Sequence, residues 1–169
     1  MSARTIRNVI YTAAFIDLPQ WDESSPIDMK RLLDTTTSIL GPKNQNPTGI
    51  LKNVYLHHMT IAFRPTIFEY NQLDYGKETT LYLVGIAGNE KAQAFLVETV
   101  LPVKNKYPHI TISTAEGVSP AYSNQLFDEV ECVQLMDPIE LKARIGWFDG
   151  RQQQYNRIMT EVERHVSQR

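Results

Sequence analysis

The tetrapeptide HMTI at residues 58–61 returns with the same pattern as HITI at residues 109–112. Each copy reads histidine, apolar residue, threonine, apolar residue, and each lies in a stretch whose composition predicts a strand. Because successive side chains of a strand point to opposite faces, the histidine and threonine of each copy share one face and the two apolar residues share the other. The sequence therefore predicts two strands that each bury an apolar face and present an imidazole beside a hydroxyl.

Further strands and a few helices are predicted around these two motifs. We predict strands at residues 8–16, 54–63, 79–87, 93–100 and 108–114, and a hairpin formed by 132–135 and 139–148. We predict one helix from a Ser25 cap to Gly41, a short one from Ser119 to Phe127, and a C-terminal one with Tyr155, Ile158, Met159, Val162 and Val166 on its apolar face. Many strands without regular strand–helix alternation indicate an α+β protein with an antiparallel sheet.

Composition excludes several classes of protein. The 169 residues are 42% hydrophobic and 21% charged, which is typical of one soluble domain. Cys132 is the only cysteine, so neither an intrachain disulfide nor a cysteine-based zinc cluster is possible. No apolar run approaches the roughly 18 residues that span a bilayer. Since the apolar N-terminal stretch is interpreted as a first strand and not a signal peptide, we expect a cytoplasmic protein without membrane contact.

The charge distribution bears on the size of any nucleic-acid partner. Residues 107–141 contain six acidic side chains and neither lysine nor arginine, whereas six basic and three acidic side chains follow from Lys142 onward. The formal net charge is −2, and the acidic stretch would repel a long phosphate backbone. This favours a nucleotide or an RNA end over a long duplex as the partner.

The paired imidazoles suit the opening of a phosphodiester. That reaction needs a base to deprotonate the attacking water and an acid to protonate the leaving oxygen. Histidine, with an unperturbed pKa of about 6.5, can do either at neutral pH. Two threonine hydroxyls can donate hydrogen bonds to the non-bridging oxygens, whose charge needs stabilisation in the transition state. This chemistry requires neither a metal nor a cofactor.

The paired motifs resemble those of the 2H phosphoesterase superfamily, from the first strand to about Phe148. The context of the second motif and the stretch at 117–124 particularly resemble tRNA-ligase-type and related RNA-repair phosphodiesterases. The resemblance implies two pseudo-symmetric antiparallel-sheet lobes, flanked by helices, around a central cleft within residues 1–150. Residues 151–169 are expected to form a C-terminal helix packed on that domain.

The same resemblance implies roles for four residues and two classes of substrate. His58 and His109 are implied to be the catalytic acid–base pair, without an assignment of which is which, and Thr60 and Thr111 to bind phosphate. One substrate class is a 2′,3′-cyclic phosphate on an RNA end or nucleotide, as in RNA repair. The other is a cyclic oligonucleotide signal, as opened by phage enzymes that act against immunity.

Five further residues are candidates for substrate binding: Tyr11, Arg64, Lys106, Ser113 and Tyr122. The two tyrosines could stack on a base, and Lys106 could attract a phosphate. Ser113 lies at even spacing from His109 and is expected to extend its polar face. Arg64 lies at even spacing from Thr60 and could clamp phosphate if that strand continues. His57 is expected to point away from His58.

Two other interpretations remain open at this stage. A non-catalytic module that sequesters a cyclic nucleotide would keep the cleft and lose the acid–base geometry. A metal site built from His57, His58 and His109 would lack a carboxylate partner at ligand spacing. The oligomeric state does not follow from the sequence.

Overall fold

Ten strands and three helices form the part of the chain that the computed structural model describes, residues 5–23, 25–41 and 49–158. The strands are β1 (Tyr11–Phe15), β2 (Gln20–Trp21), β3 (Pro26–Ile27), β4 (Asn53–Val54), β5 (His58–Phe63), β6 (Glu78–Gly88), β7 (Ala92–Glu98), β8 (His109–Thr114), β9 (Val133–Phe148) and β10 (Gln153–Gln154). The helices are α1 (Met29–Leu40), α2 (Ile67–Asn71) and α3 (Ser123–Glu129), and a 3-10 turn at Pro120–Tyr122 precedes α3.

Six of the strands close into an antiparallel barrel. Their order is β1-β5-β8-β7-β6-β9, and β9 pairs with β1 to complete the circle. The short strands β4 and β10 extend this sheet on β8 and β9, and β2 pairs only with β3. Closure leaves no long unpaired strand edge among these six. The α+β class with an antiparallel sheet is thus confirmed, and β5 and β8, which carry the two motifs, are neighbours.

The apolar positions of both motifs lie in the main core. Met59, Ile61, Ile110 and Ile112 are all at most 2% exposed, and they belong to one cluster with the inward side chains of the other strands and of α1. Full burial of each such side chain stabilises the fold by roughly 1.5–3 kcal/mol. The predicted alternation is therefore confirmed: the apolar faces turn to the core, and the histidine and threonine faces turn away from it.

A bulge interrupts each motif strand at the same position. Along β5, Thr60 pairs with Ala13 and Ala62 pairs with Thr12, so the ladder skips Ile61. Along β8, the residues at 111 and 113 pair with Ala94 and Gln93, so the ladder skips Ile112. One extra residue per strand changes which side chains face outward beyond the bulge.

The predicted hairpin at 132–148 is wrong, because this segment is a single strand. Val133 and Gln134 pair with the end of β6, and Ile139 resumes pairing with Leu83 after a skip over Leu135–Pro138. Pro138 has no N–H to donate to a ladder, so it fits among these residues that do not pair with β6. Both parts run in the same direction along β6, so no chain reversal occurs here.

The start of α1 differs from the sequence prediction. α1 begins three residues later than expected, because Pro26–Ile27 forms β3 and Asp28, not Ser25, is the cap. The Asp28 carboxylate accepts from the Arg31 backbone N–H at 2.8 Å. Ser119 caps the turn before α3 as predicted. None of the helices in the described ranges has the length and apolar character needed to cross a membrane.

The C-terminal prediction lies mostly outside the described residues. Gln153–Gln154 pairs with β9 as β10, and residues 155–158 are not helical. The remainder of the predicted C-terminal helix, from Met159 onward, lies outside the described part of the chain.

Candidate functional site

The polar faces of both motifs line one cavity of about 440 Å³. β5 and β8 pair at Met59 and Ile110, the second residue of each motif, and this brings the two His–Thr faces side by side. The lining residues are Tyr11, Tyr55, His57, His58, Thr60, Phe63, Asn105, His109, Thr111, Ser119, Pro120, Ala121 and Asn124. None of these described lining residues is a lysine, arginine, aspartate or glutamate. The cavity is thus aromatic, hydroxylic and imidazole-rich, without a formal charge when its histidines are neutral.

The tautomer of His109 is set by the backbone. Its Nδ1 lies 2.7 Å from the carbonyl oxygen of Tyr107, and a carbonyl can only accept, so Nδ1 carries the proton. In the neutral ring the lone pair is therefore on Nε2. Burial lowers the pKa of His109, and the hydrogen bond to Tyr107 opposes that shift. A neutral His109 consequently offers a hydrogen-bond acceptor at Nε2.

His58 is held by rings on two sides. It stacks on Tyr11 with ring centroids 4.9 Å apart, and its ring centroid is 4.6 Å from that of His57. Its Nδ1 lies 2.5 Å from Nδ1 of His57, so one of the two nitrogens donates and the other accepts. Burial, followed by the charges of His57 and His109, lowers the pKa of His58 to about 3. Burial also lowers the pKa of His57.

The two threonines have different surroundings. Thr111 Oγ1 donates to Oγ of Ser123, a fully buried residue at the start of α3, at 3.0 Å. Thr60 lies opposite Ala13, and Thr111 lies opposite Ala94, so each hydroxyl has a small cross-strand neighbour. The bond to Ser123 orients Thr111 before any ligand binds.

Of the five further candidates for substrate binding, Tyr11 lines the cavity and Ser113 does not. Tyr11 lines the cavity between His58 and Phe148, whose ring centroid is 5.2 Å away, and burial raises the pKa of its phenol to about 12. Ser113 does not line the cavity. It is fully buried, donates to Oε1 of Gln93 at 2.6 Å and accepts from the Leu51 N–H at 3.2 Å.

Arg64 does not share the face of His58, contrary to the spacing argument. The bulge at Ile61 exchanges the faces beyond it, so Phe63 lines the cavity in place of Arg64. Arg64 itself follows the strand with φ near +49°, and its guanidinium carbon lies 5.6 Å from the centroid of the Phe63 ring. The Phe63 side chain is 68% exposed at the cavity rim.

Lys106 and Tyr122 also lie outside the cavity lining. Lys106 forms an exposed ion pair with Asp128 at 3.1 Å. The Tyr122 hydroxyl accepts from Nδ2 of Asn89 at 3.0 Å and donates to the carboxylate of Glu129. Each has its polar atoms engaged elsewhere on the surface.

The cavity contains residues that sequence reasoning did not select. His57 was expected to point away from His58, but it precedes the first residue of β5 and follows Leu56, whose φ is +56°. The alternation rule does not hold across such a residue, and both imidazoles line the same cavity. Tyr55 packs edge-on against His57 at 5.8 Å. Asn105, Ser119 and Asn124 come from loops and a helix start, where no periodic signal points to a site.

Within residues 5–23, 25–41 and 49–158, no three His, Cys, Asp or Glu side chains form a group that could hold a metal ion. No family model and no curated protein sequence matches the chain.

Proposed function

We propose that this protein is a metal-independent cyclic phosphodiesterase of the 2H type that hydrolyses a nucleotide phosphodiester. The observation that carries the proposal is the convergence of His58, Thr60, His109 and Thr111 on one cavity from two neighbouring strands. One imidazole takes a proton from the attacking water, and the other gives a proton to the leaving oxygen. The Thr60 hydroxyl donates to one non-bridging oxygen, and the Thr111 hydroxyl donates to the other after its single proton turns from Ser123 to the ligand.

The charge of the cavity supports a diester as the substrate. A phosphodiester carries one negative charge at neutral pH, whereas a monoester carries close to two. Hydroxyl and imidazole donors without a described lysine or arginine in the lining match the smaller charge better. The same feature favours release of the monoester product and disfavours a long nucleic-acid backbone as ligand.

Aromatic residues around the imidazoles support a nucleoside next to the phosphate. Tyr11, Tyr55 and Phe63 all line the cavity, and Phe63 is largely exposed at its rim. Base–aromatic stacking is worth about 1–3 kcal/mol per base. These rings would hold the base or bases of a cyclic mononucleotide, an RNA end or a cyclic oligonucleotide.

The two-lobed architecture implied by the family resemblance forms part of the proposal. The β1–β5 and β7–β8 pairs each contain one motif, and each has a bulge at the fourth motif residue. β5 and β8 pair at one position only, so the two pairs meet through a narrow seam beside the cavity. This arrangement supports two related halves that share one closed sheet.

A product assay in EDTA tests the proposal. Wild type, His58→Ala and His109→Ala would be incubated with 2′,3′-cyclic mononucleotides, cyclic-phosphate RNA ends and a panel of cyclic di- and trinucleotides. Glu98→Ala, an exposed change outside the cavity lining, is the control for handling and folding. Turnover by wild type and the control alone supports the proposal, and the substrate opened separates repair from signalling. Full activity in both histidine variants would overturn it.

A sequestering module is the second candidate, and one observation favours it. Both motif histidines have a lowered pKa, so neutral imidazoles that bind a ligand without proton transfer also fit the cavity. Tight binding of one panel member with no product after long incubation would establish this function instead.

A further inference from the structure

The two motif histidines are held in different ways, and this difference assigns their roles. The Tyr107 carbonyl keeps the proton of His109 on Nδ1, which leaves the lone pair on Nε2. Such a ring can accept a proton from water without rearrangement. The structure therefore presents His109 as a ready base.

The Nδ1 of His58 meets another imidazole instead of a carbonyl. At 2.5 Å from Nδ1 of His57, it can accept a proton from that ring or donate one to it. When His57 donates, the remaining proton of neutral His58 lies on Nε2. The His57 ring is more exposed than the His58 ring, so it can take up a second proton at its own Nε2 at lower cost than His58.

We propose that His57 is a positioning residue that acts through His58: the pair is the acid, His57 holds its positive charge, and His58 delivers the proton, while His109 is the base. This inference rests on the proposed phosphodiesterase function. It adds a third histidine to the two that the repeated motif contains.

The proton balance of this step closes. In the charged pair, both Nε2 atoms carry a proton and a third proton lies on Nδ1 of His57, directed at His58. Water loses a proton to Nε2 of His109 and forms the new P–O bond. As the old P–O bond breaks, the leaving oxygen takes the Nε2 proton of His58, and the Nδ1 proton passes from His57 to His58. Both rings of the pair end neutral and His109 ends protonated. To reset the site, His109 releases its proton to solvent, Nε2 of His58 takes a proton from solvent, and the Nδ1 proton passes back from His58 to His57.

The surroundings of the pair contain few other titratable groups. Tyr11 from β1 faces His58, Tyr55 from the segment before β5 faces His57, and His109 from β8 acts on His58 through its charge. The described lining residues include no carboxylate that could hold the charge in their place. The burial that lowers the pKa of His58 disfavours this ring as the sole carrier of the charge.

Imidazole ¹⁵N NMR of the intact protein tests the pairing without reference to activity. At neutral pH we expect His109 to be protonated on Nδ1 and His58 on Nε2. His57→Phe keeps an aromatic ring but removes the donor, so we expect His58 to lose its preference for the Nε2 proton while His109 keeps its proton on Nδ1. A proton on Nδ1 of His58 in wild type, or an unchanged His58 spectrum in His57→Phe, would overturn the inference.

Steady-state kinetics with the substrate that wild type hydrolyses fastest test whether His57 holds the positive charge of the acid pair. We expect His57→Phe to lower kcat at least about tenfold with KM within about threefold. We also expect it to change the fall in rate that loss of the acid proton causes as the pH rises through the lowered pKa of His57. Tyr82→Phe, on the exposed part of β6, is the aromatic control. A kcat within twofold of wild type and the same pH profile would overturn the proposed role. If wild type opens no substrate, the phosphodiesterase proposal fails, while the NMR result still decides the pairing.

Discussion

Ile61 and Ile112 occupy equivalent positions in two strands: each is the fourth residue of its motif, and each is skipped by the ladder with the adjacent strand. Just beyond each skipped isoleucine, Thr12 of β1 pairs with Ala62 and Gln93 of β7 pairs with Ser113. Both Thr12 and Gln93 are polar and fully buried. Thr12 accepts from the Ala62 N–H at 3.1 Å, and Gln93 accepts from Ser113 at 2.6 Å. The repeated sequence motif therefore coincides with a repeated β-bulge, and a buried polar side chain forms a hydrogen bond beside each bulge.

The Thr12 hydroxyl should be needed for stability more than for chemistry. Thr12→Val keeps the shape but leaves the buried Ala62 N–H without this acceptor, which should cost about 1–3 kcal/mol. Urea denaturation with an unchanged m-value would measure it. Thr37→Val, the same exchange at an exposed position of α1, should change stability by less than about 0.5 kcal/mol. Equal effects of the two exchanges would contradict the role of Thr12 at the bulge.

Loss of either motif imidazole should reduce turnover far more than stability. His58→Ala and His109→Ala should each lower kcat by about 10²-fold or more, because each removes one proton-transfer group. The double variant should be little worse than the worse single variant, since the two groups act in one step. Far-UV circular dichroism and thermal unfolding check that the fold survives. Multiplicative losses in the double variant would indicate independent roles.

Phe63, and not Arg64, should determine substrate affinity at the rim. Phe63→Ala should raise KM by about 5- to 100-fold, because a stacking partner of the base is lost. Arg64→Ala should change kcat and KM less than threefold, since the bulge turns Arg64 away from the cavity. Steady-state kinetics on the same nucleotide compare the two. A larger effect of Arg64→Ala would restore the phosphate clamp suggested by its spacing.

Acid should destabilise the wild type more than a variant without His58. The folded-state pKa of His58 is about 3, below its unfolded value of about 6.5, so between these values the unfolded chain binds a proton that the folded chain does not. Stability therefore falls as pH drops from about 6.5 towards 3, and His58 contributes no pH dependence above about 6.5. At pH 5 its share should be about 2 kcal/mol.

The lowered pKa of His109 acts in the same direction. Urea unfolding at pH 7 and pH 5 should therefore show a smaller loss of stability for His58→Gln than for wild type. Parallel losses in the two proteins would show that His58 titrates normally in the folded state.

Local patterns in the sequence determined the strands, the faces and the four central residues of the candidate site. Alternation acts between neighbouring residues, so 58–61 and 109–112 each reveal which side chains turn to the core. Local patterns wrongly predicted a hairpin at 132–148. Whether the chain turns back or runs on as one strand there depends on its pairing with β6, which is distant in the sequence.

Tertiary structure alone decided that the two motifs meet and which residues join them. Pairing of β5 with β8 is a contact between residues 51 positions apart, and no local signal encodes it. The bulges at Ile61 and Ile112 arise from register against β1 and β7, and the first of them exchanges Arg64 for Phe63 at the cavity. His57 enters the site because Leu56 adopts a positive φ before the strand begins. Side-chain chemistry is thus local information, whereas the geometry that combines it is set by strand register and chain closure.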